Sequence, residues 1–238
     1  MGREGFPFKD YSLGTEDIRN FHFWKGVIGE GIATMFLVLS VLTGGTYGTG
    51  TAPAYGYALA FGFSVLTLVY AFNDISGGHI NNAVSFALFL MGRCSLIRCL
   101  CYTAAQVGGA ALGAFIAQGV HGGDESWGCG IVARNENVSR LWTLVLEIIF
   151  TALLILVVLV ATEAERSRSE RALHIGLCVF ICHVVIMPYT GCAINPARAT
   201  GPAIVCGELK DIWIYWITGY AGSFLGCVIY WFLSYWSR

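Results

Sequence analysis

What this sequence most lacks is charge. Asp, Glu, Lys and Arg make up 12% of its 238 residues, where a soluble domain of this length carries about 25%. The shortage argues against an ordinary soluble domain. The few charges gather between long stretches that have almost none, which is the pattern of transmembrane helices and their loops. Runs of basic residues are missing too, and a net charge of -1 points to no nucleic acid partner. The nine cysteines form no C-x-x-C pair of pairs, so the spacing offers no zinc site, and no other metal or cofactor is implied. With no nucleophile elbow, phosphate loop or metal constellation, there is no catalytic residue to nominate and the chain does not read as an enzyme. A signal peptide is also absent. Residues 1–25 are polar, with Arg3, Lys9, Arg19 and Lys25 mixed with acids, and no short apolar core with a small-residue cleavage site precedes Val27.

What the sequence does have is apolar length. Hydrophobic residues are 56% of the chain and the mean hydropathy is +0.65. Six apolar segments run over Val27–Thr43, Tyr55–Asn73, Leu96–Gln118, Leu141–Ala161, Ala172–Tyr189 and Ile212–Tyr235, each near the length of about 20 residues that crosses a bilayer as a helix. They are too long and too continuously apolar for barrel strands, so a helical bundle is expected. Two shorter stretches, Ala83–Met91 and Ala197–Cys206, cannot span and fit half-helices that stop at mid-membrane. Lys and Arg divide unevenly between the two sides of such a bundle, ten against four. The excess falls on the side of both termini, which are therefore expected in the cytoplasm.

The chain also repeats itself. Ser76-Gly77-Gly78-His79-Ile80-Asn81-Asn82-Ala83 matches Thr190-Gly191-Cys192-Ala193-Ile194-Asn195-Pro196-Ala197, with the asparagines Asn81 and Asn195 114 residues apart. Glu30-x-x-x-Thr34 matches Glu147-x-x-x-Thr151 at an offset of 117, Gly62 matches Gly176 at 114, and Tyr102, Gly109 and Gly113 match Tyr215, Gly222 and Gly226 at 113. Each copy holds three spans with a half-helix between its second and third. Three is odd, so the second copy enters from the opposite side, and the repeat is inverted. The expected division is a cytoplasmic segment 1–26, a first repeat 27–118 with half-helix 83–91, an extracellular loop 119–140, a second repeat 141–235 with half-helix 197–206, and a tail 236–238. The half-helices then meet N-terminus to N-terminus near the middle.

Over about Val27 to Tyr235 these features resemble the aquaporin (major intrinsic protein) family, which is marked by two Asn-Pro-Ala motifs that each open a half-helix. The second motif is intact as Asn195-Pro196-Ala197, followed by Arg198, whereas the first reads Asn81-Asn82-Ala83 and has lost its proline. The resemblance implies an all-α membrane protein of six transmembrane helices and two re-entrant half-helices. Two facing helix N-termini make a positive centre that repels cations, hydronium included. Asn81 and Asn195 add amide donors there, from which a passing water accepts, so that its hydrogens turn outward and the proton chain is interrupted. The plainer reading is that both asparagines cap their helices, and the two readings are compatible.

The resemblance also implies a narrow filter on the extracellular side, at Phe61, His183, Cys192 and Arg198. In the water-selective type the arginine is a fixed cation and donor, the histidine narrows the passage as a second polar wall, the phenylalanine supplies bulk, and the small cysteine lines the rest. Taken singly, His183 would be a packing histidine and Arg198 the partner of an acid, but ionisable groups within a membrane are functional by default. Ala199, Ala203, Tyr215 and Trp216 resemble the water type as well. Glu30 and Glu147 are intramembrane acids open to two readings, as ion or proton ligands or, as the resemblance implies, as acceptors for the loops leading into the half-helices. Gly109-x-x-x-Gly113 and Gly222-x-x-x-Gly226 are close-packing faces. Asn82 is expected to cap or hydrogen-bond locally in place of the missing proline.

Among the cysteines, Cys192 is expected as an exposed, mercurial-sensitive pore thiol. Cys178, Cys182 and Cys227 read as lipid or core residues. Cys94, Cys99 and Cys101 read as packing residues or palmitoylation sites, and Cys129 sits in the extracellular loop with no partner to nominate. Asn137-Val138-Ser139 is a glycosylation sequon in that loop. Arg166-Ser167-Arg168-Ser169 is a linker that fixes topology or accepts phosphate. The implied function is a passive water channel that excludes ions and protons. The alternatives are a facilitator of glycerol, urea, ammonia or hydrogen peroxide, and a structural or junctional protein with a closed pore. Its partners are then water, membrane lipid and, by resemblance, three further copies in a homotetramer, and its expected address is the plasma membrane.

Overall fold

In the computed structural model, which describes residues 12–44, 53–122, 129–163 and 166–236, the described chain is all helix and turn. The helices are α1 (Phe21–Gly44), α2 (Pro53–Ser76), α3 (Asn82–Leu90), α4 (Leu96–His121), α5 (Arg140–Ala161), α6 (Arg168–Thr190), α7 (Pro196–Val205) and α8 (Ile212–Trp236). Six of them, all but α3 and α7, are long and apolar enough to cross a bilayer. The 9 residues of α3 rise roughly 13 Å at 1.5 Å each, under half of the hydrocarbon thickness. The alternating direction of successive spans brings α3 in from the end at which α1 begins, and α7 from the opposite end. Arg3, Lys9 and Arg238, which entered the charge count, lie outside the described residues.

Two of the long helices, α1 and α6, start several residues earlier than hydropathy alone marks them, whereas α4 and α8 start where expected. Helix α1 begins at Phe21 rather than Val27, with Phe23 fully buried and the Trp24 indole donating to the Ile18 carbonyl at 2.8 Å. Helix α6 begins at Arg168 because Ser167 and Glu170 form a reciprocal capping box, which satisfies end donors that composition does not register. Ahead of α1, the carbonyls of Ser12 and Leu13 accept from the first amides of α4, Leu96 and Ile97, each at 3.1 Å. Asp17 accepts from the Ser95 hydroxyl at 2.6 Å.

The repeated glycines are where helices cross. A side chain at Gly109 would run into the backbone of Gly31 in α1, and Gly113 lies against the backbone at Met35. In the second half, Gly222 and Gly226 lie against Ile148, Thr151, Ala152 and Ile155 of α5, while Gly62 and Gly176 face one another across α2 and α6. Without a hydrophobic drive between helices in lipid, this close backbone approach supplies the van der Waals contact that holds spans together.

One expectation about the cysteines changes and another narrows. Cys129 has a partner after all: it is disulfide-bonded to Cys206, 77 residues away, with Cα atoms 6.4 Å apart. Sequence spacing cannot show that pairing, because α7 ends at Val205 and turns Cys206 out as its C-cap, toward the loop before α5. Cys94 and Cys99 are buried and Cys101 is partly exposed. Burial pushes the Cys94 thiol up to about 12, so of the three only Cys101 presents itself for acylation. A bond closing a loop of this length contributes at most about 4.5 kcal/mol through the unfolded chain. Cys206→Ser should therefore lower the thermal unfolding temperature of the purified protein, and a reducing agent should lower that of the wild type but not of the variant. An unchanged wild-type transition on reduction would show that the bond does not hold this end of the bundle.

Candidate functional site

The site is built around two loops that carry backbone into the middle of the bundle, residues 77–81 before α3 and 191–195 before α7. Backbone donors there have no ladder to join, and an unpaired buried N–H is costly. Glu30 of α1 and Glu147 of α5 are both fully buried and meet the need. Glu30 Oε1 accepts from the backbone of His79 at 2.9 Å and from the Ser76 hydroxyl at 2.5 Å, and Oε2 accepts from the backbone of Ile80 at 2.5 Å. Glu147 repeats the pattern, with Ala193 N at 2.9 Å and the Thr190 hydroxyl at 2.6 Å on Oε1 and Ile194 N at 3.0 Å on Oε2. The hydroxyls of Tyr102 and Tyr215 donate to the carbonyls of Ser76 and Thr190 at 3.0 and 2.9 Å. Glu30 alone has a further donor, Gln106 Nε2, at 2.8 Å.

These bonds hold a strained backbone. Gly77, Gly78 and Ile80 have φ of +92°, +63° and +56°, and their counterparts Gly191, Cys192 and Ile194 have +81°, +50° and +41°. For a β-branched isoleucine such angles are outliers, costing on the order of 1–3 kcal/mol each. Each isoleucine is fixed at both ends. Its N–H goes to the glutamate, and its carbonyl accepts from the asparagine of the other half: Asn195 Nδ2 to Ile80 O at 2.9 Å, and Asn81 Nδ2 to Ile194 O at 2.8 Å.

The two asparagines also cap their helices. Asn81 Oδ1 accepts from Ala83 N at 2.9 Å and Asn195 Oδ1 from Arg198 N at 3.2 Å. With the oxygen spent on the cap and one amide hydrogen on the opposite carbonyl, each side chain retains a single N–H. Both asparagines line one cavity with room for about 60 Å³ of water-sized centres, whose walls include Leu37, Val65, Val158 and Val179 and whose far end reaches Asn73, Thr162 and Arg171. Asn82, expected to bond locally, instead reaches across to α7: its Oδ1 accepts from Ala197 N at 2.9 Å, and its Nδ2 makes a long contact of 3.5 Å to the Tyr220 hydroxyl. Pro196 packs against Gly219 on α8.

At the other end the cavity stops at Phe61 and His183, whose rings stack with centroids 3.8 Å apart. The Arg198 guanidinium carbon lies 4.9 Å over the Phe61 ring, so Phe61 meets two of the other three expected filter positions. His183 Nδ1 is 2.8 Å from the Val179 carbonyl. A carbonyl only accepts, so Nδ1 carries the hydrogen, and in the neutral ring Nε2 is left as an acceptor. Neither His183 Nε2 nor Arg198 Nη1 has a hydrogen-bond partner among the described residues, and both are buried. The fourth position departs from expectation. Cys192 is fully buried rather than exposed, because its positive φ and the bond from its N–H to Thr190 Oγ at 3.1 Å tuck it into the loop. Asn137 is exposed in the loop before α5, where Ser139 of the sequon is the N-cap of that helix. Among the described residues, no group of three or more His, Cys, Asp or Glu is placed to hold a metal ion.

Sequence reasoning missed Gln106, Tyr220, Cys206 and Ser85, whose hydroxyl accepts from Gln106 Nε2 at 3.2 Å and lies 2.9 Å from His79 Nδ1. Gln106 was visible as a lone uncharged polar residue in an apolar span. Ser76 and Thr190 opened the two repeated segments without being read as ligands of the glutamates.

Six spans, two opposed half-helices and a cavity that threads between them define a membrane channel. The family model for the major intrinsic protein (MIP) family matches residues 17–230, and the chain belongs to that family. It is 34% identical to aquaporin-5 of Homo sapiens, over 92% of this chain and 84% of that one. It is likewise 34% identical to aquaporin PIP2-1 of Arabidopsis thaliana, over 95% and 88%. Among solved structures it is similar to the aquaglyceroporin from Plasmodium falciparum, with a TM-score of 0.79 and 26% identity over 87% of this chain and 95% of that one. It is thus an integral membrane protein of a channel family.

Replacing Glu30 by leucine would leave the amides of His79 and Ile80 buried without an acceptor, at roughly 1–3 kcal/mol each, with nothing to hold the strained loop. Glu30→Leu should yield no monodisperse protein on size exclusion in detergent. Glu30→Gln keeps one acceptor oxygen and should assemble with a lowered unfolding temperature. A Glu30→Leu protein as stable as the wild type would remove the acid from its structural role.

Proposed function

We propose that this channel is selective for water, passing it along an osmotic gradient while excluding protons and ions. The observation that carries the reading is a pair of unpaired buried atoms flanking Phe61: Nε2 of His183, which with Phe61 lines the cavity, and Nη1 of Arg198, whose guanidinium lies over the Phe61 ring. An acceptor and a donor suit a molecule that can both give and take hydrogen bonds at one narrow point. Water does so without needing the apolar room a polyol backbone requires, because Phe61 and His183 occupy it. Arg198 adds a fixed positive charge against cations.

Past the constriction, water reaches the asparagines. Each offers its one remaining amide hydrogen, and both half-helix N-termini point their positive ends to the same place. Water accepting there turns its own hydrogens toward the two exits, so no water can both accept from and donate along an unbroken chain. Glu30 and Glu147 act in this reading as structural acceptors, not as proton carriers.

The arrangement around the channel belongs to the same proposal. The chain divides into repeats at 27–118 and 141–235, four copies assemble with one pore each, and both termini face the cytoplasm of a plasma membrane. The disulfide supports that orientation, since Cys129 and Cys206 then meet on the oxidising side, the side on which Asn137 would be glycosylated. The fold likeness to an aquaglyceroporin keeps glycerol as the competitor to test.

Stopped-flow light scattering on proteoliposomes of the purified protein separates the readings. In a sucrose gradient they should shrink much faster than empty liposomes, and in a glycerol gradient they should show no rapid re-swelling. His183→Gly opens the constriction and should admit glycerol. Mercurial block should develop slowly, because Cys192 is buried and reached only as the surrounding side chains move, and it should vanish in Cys192→Ser. Rapid glycerol re-swelling of the wild type would make it a solute facilitator, and permeability equal to empty liposomes would make it a closed or structural member.

A further inference from the structure

The second position of the first motif holds Asn82, fully buried, where the second motif holds Pro196. We propose that Asn82 is a positioning residue that caps the opposite half-helix, α7, and so fixes how Asn195 and Arg198 are presented to the pore. This rests on the water-channel reading above and names the residue that sets the geometry of its centre.

The argument is an accounting of donors. The first amides of a helix need partners outside it. In α7 the first residue, Pro196, has no N–H. The second amide, Ala197, donates to Asn82 Oδ1 at 2.9 Å. The third, Arg198, donates to Asn195 Oδ1 at 3.2 Å, and the next, Ala199, donates to the Asn195 carbonyl at 3.1 Å. Each early donor of α7 thus has one assigned acceptor. The division of labour differs in α3, where Asn81 caps the second amide of its own helix, Ala83. Because Asn82 takes Ala197, Asn195 is free to cap Arg198 instead, and that tilt of its amide carries the remaining N–H that faces the cavity. The same bond ties the start of α3 to the start of α7.

The far side of the asparagine is also engaged. Its Nδ2 faces the Tyr220 hydroxyl, and the Tyr220 ring stands edge-on to Phe86 of α3 at 4.8 Å between centroids. Tyr220 thereby holds the side chain in the orientation that aims oxygen, not nitrogen, at α7. A proline at residue 82 would supply neither group. Ala197 N–H would then compete with Arg198 N–H for Asn195 Oδ1, and the cap on the residue bearing the filter guanidinium would loosen.

The test uses the full chain, purified and reconstituted, with Asn82→Pro, Asn82→Leu and Asn82→Asp. Two quantities are read: thermal unfolding temperature in detergent, and unit water permeability with proton flux in liposomes. Asp keeps an acceptor for Ala197 N–H. Its unfolding temperature should stay near the wild type, while Pro and Leu should both fall by several degrees. In liposomes, Pro and Leu should lose unit water permeability several-fold or gain a measurable proton flux, a change in the conducted species that loss of folded protein alone does not produce. Tyr220→Phe should shift both quantities in the same direction by less.

An Asn82→Pro protein with wild-type stability, water permeability and proton tightness would overturn the proposal, as would Asp falling as far as Leu in stability. If the wild type conducts no water, the water-channel reading fails, but the stability order of the variants still decides whether Asn82 caps α7.

Discussion

Everything at the centre of this bundle depends on finding acceptors for a handful of backbone amides that the fold carries into its middle. A half-helix can stop at mid-membrane only if the loop leading to it is satisfied, and water cannot do this in a low-dielectric interior. Glu30 and Glu147 answer that need with both oxygens each, and the loops they hold contain isoleucines in a conformation that isoleucine avoids. The strain has a use. Turned this way, Ile80 and Ile194 present their carbonyls to the asparagine of the opposite repeat. One continuous set of bonds therefore runs from glutamate through isoleucine to asparagine and back by symmetry, so the two halves of the channel are located against each other by the same contacts that orient the pore donors.

Most of the scaffold was legible in the sequence because lipid leaves few alternatives. Spans of about 20 apolar residues have one folded form, and the recurrence of Glu, Gly, Asn and Tyr at offsets of 113–117 specifies their order and inversion. The paired acids were legible for the same reason: an acid buried in a span needs a partner, and the repeat pointed to the loops. The contact of Phe61, His183 and Arg198 was expected from family resemblance rather than from physics, since nothing in spacing brings residues of α2, α6 and α7 to one point.

What stayed hidden depended on chain direction at single residues. Cys206 turns out as a C-cap one residue past α7, and no pattern shows that it then meets Cys129. Cys192 was expected to be exposed from its position in the motif, yet it is fully buried in a loop whose backbone turns at positive φ. Asn82 was expected to serve its own helix, because capping is normally local. The structure sends it to the other half-helix, since in a head-to-head pair the nearest uncapped amide belongs to the neighbour. Propensity describes one helix at a time, and this site is made by two.

The inverted repeat also shows why the two ends of the cavity differ in chemistry. Shifted by 114 residues, Phe61, His183, Cys192 and Arg198 fall on Ile175, Val69, Gly78 and Val84, and all four of these line the cavity on the other side of the asparagines. The same backbone geometry is therefore present twice. Where the second copy of a position bears an imidazole or a guanidinium, the first bears valine. A valine wall offers no hydrogen bond, so the polar groups on that side of the asparagines are confined to the strip that runs from Ile80 through His79 to Asn73 and to Thr162 and Arg171 at the far end. The polar constriction and the smooth apolar vestibule are two side-chain decorations of one fold. The two ends of the cavity thus differ at a few positions where the repeats have ceased to match, while the glutamate, tyrosine and glycine contacts that hold the halves together lie where they still do.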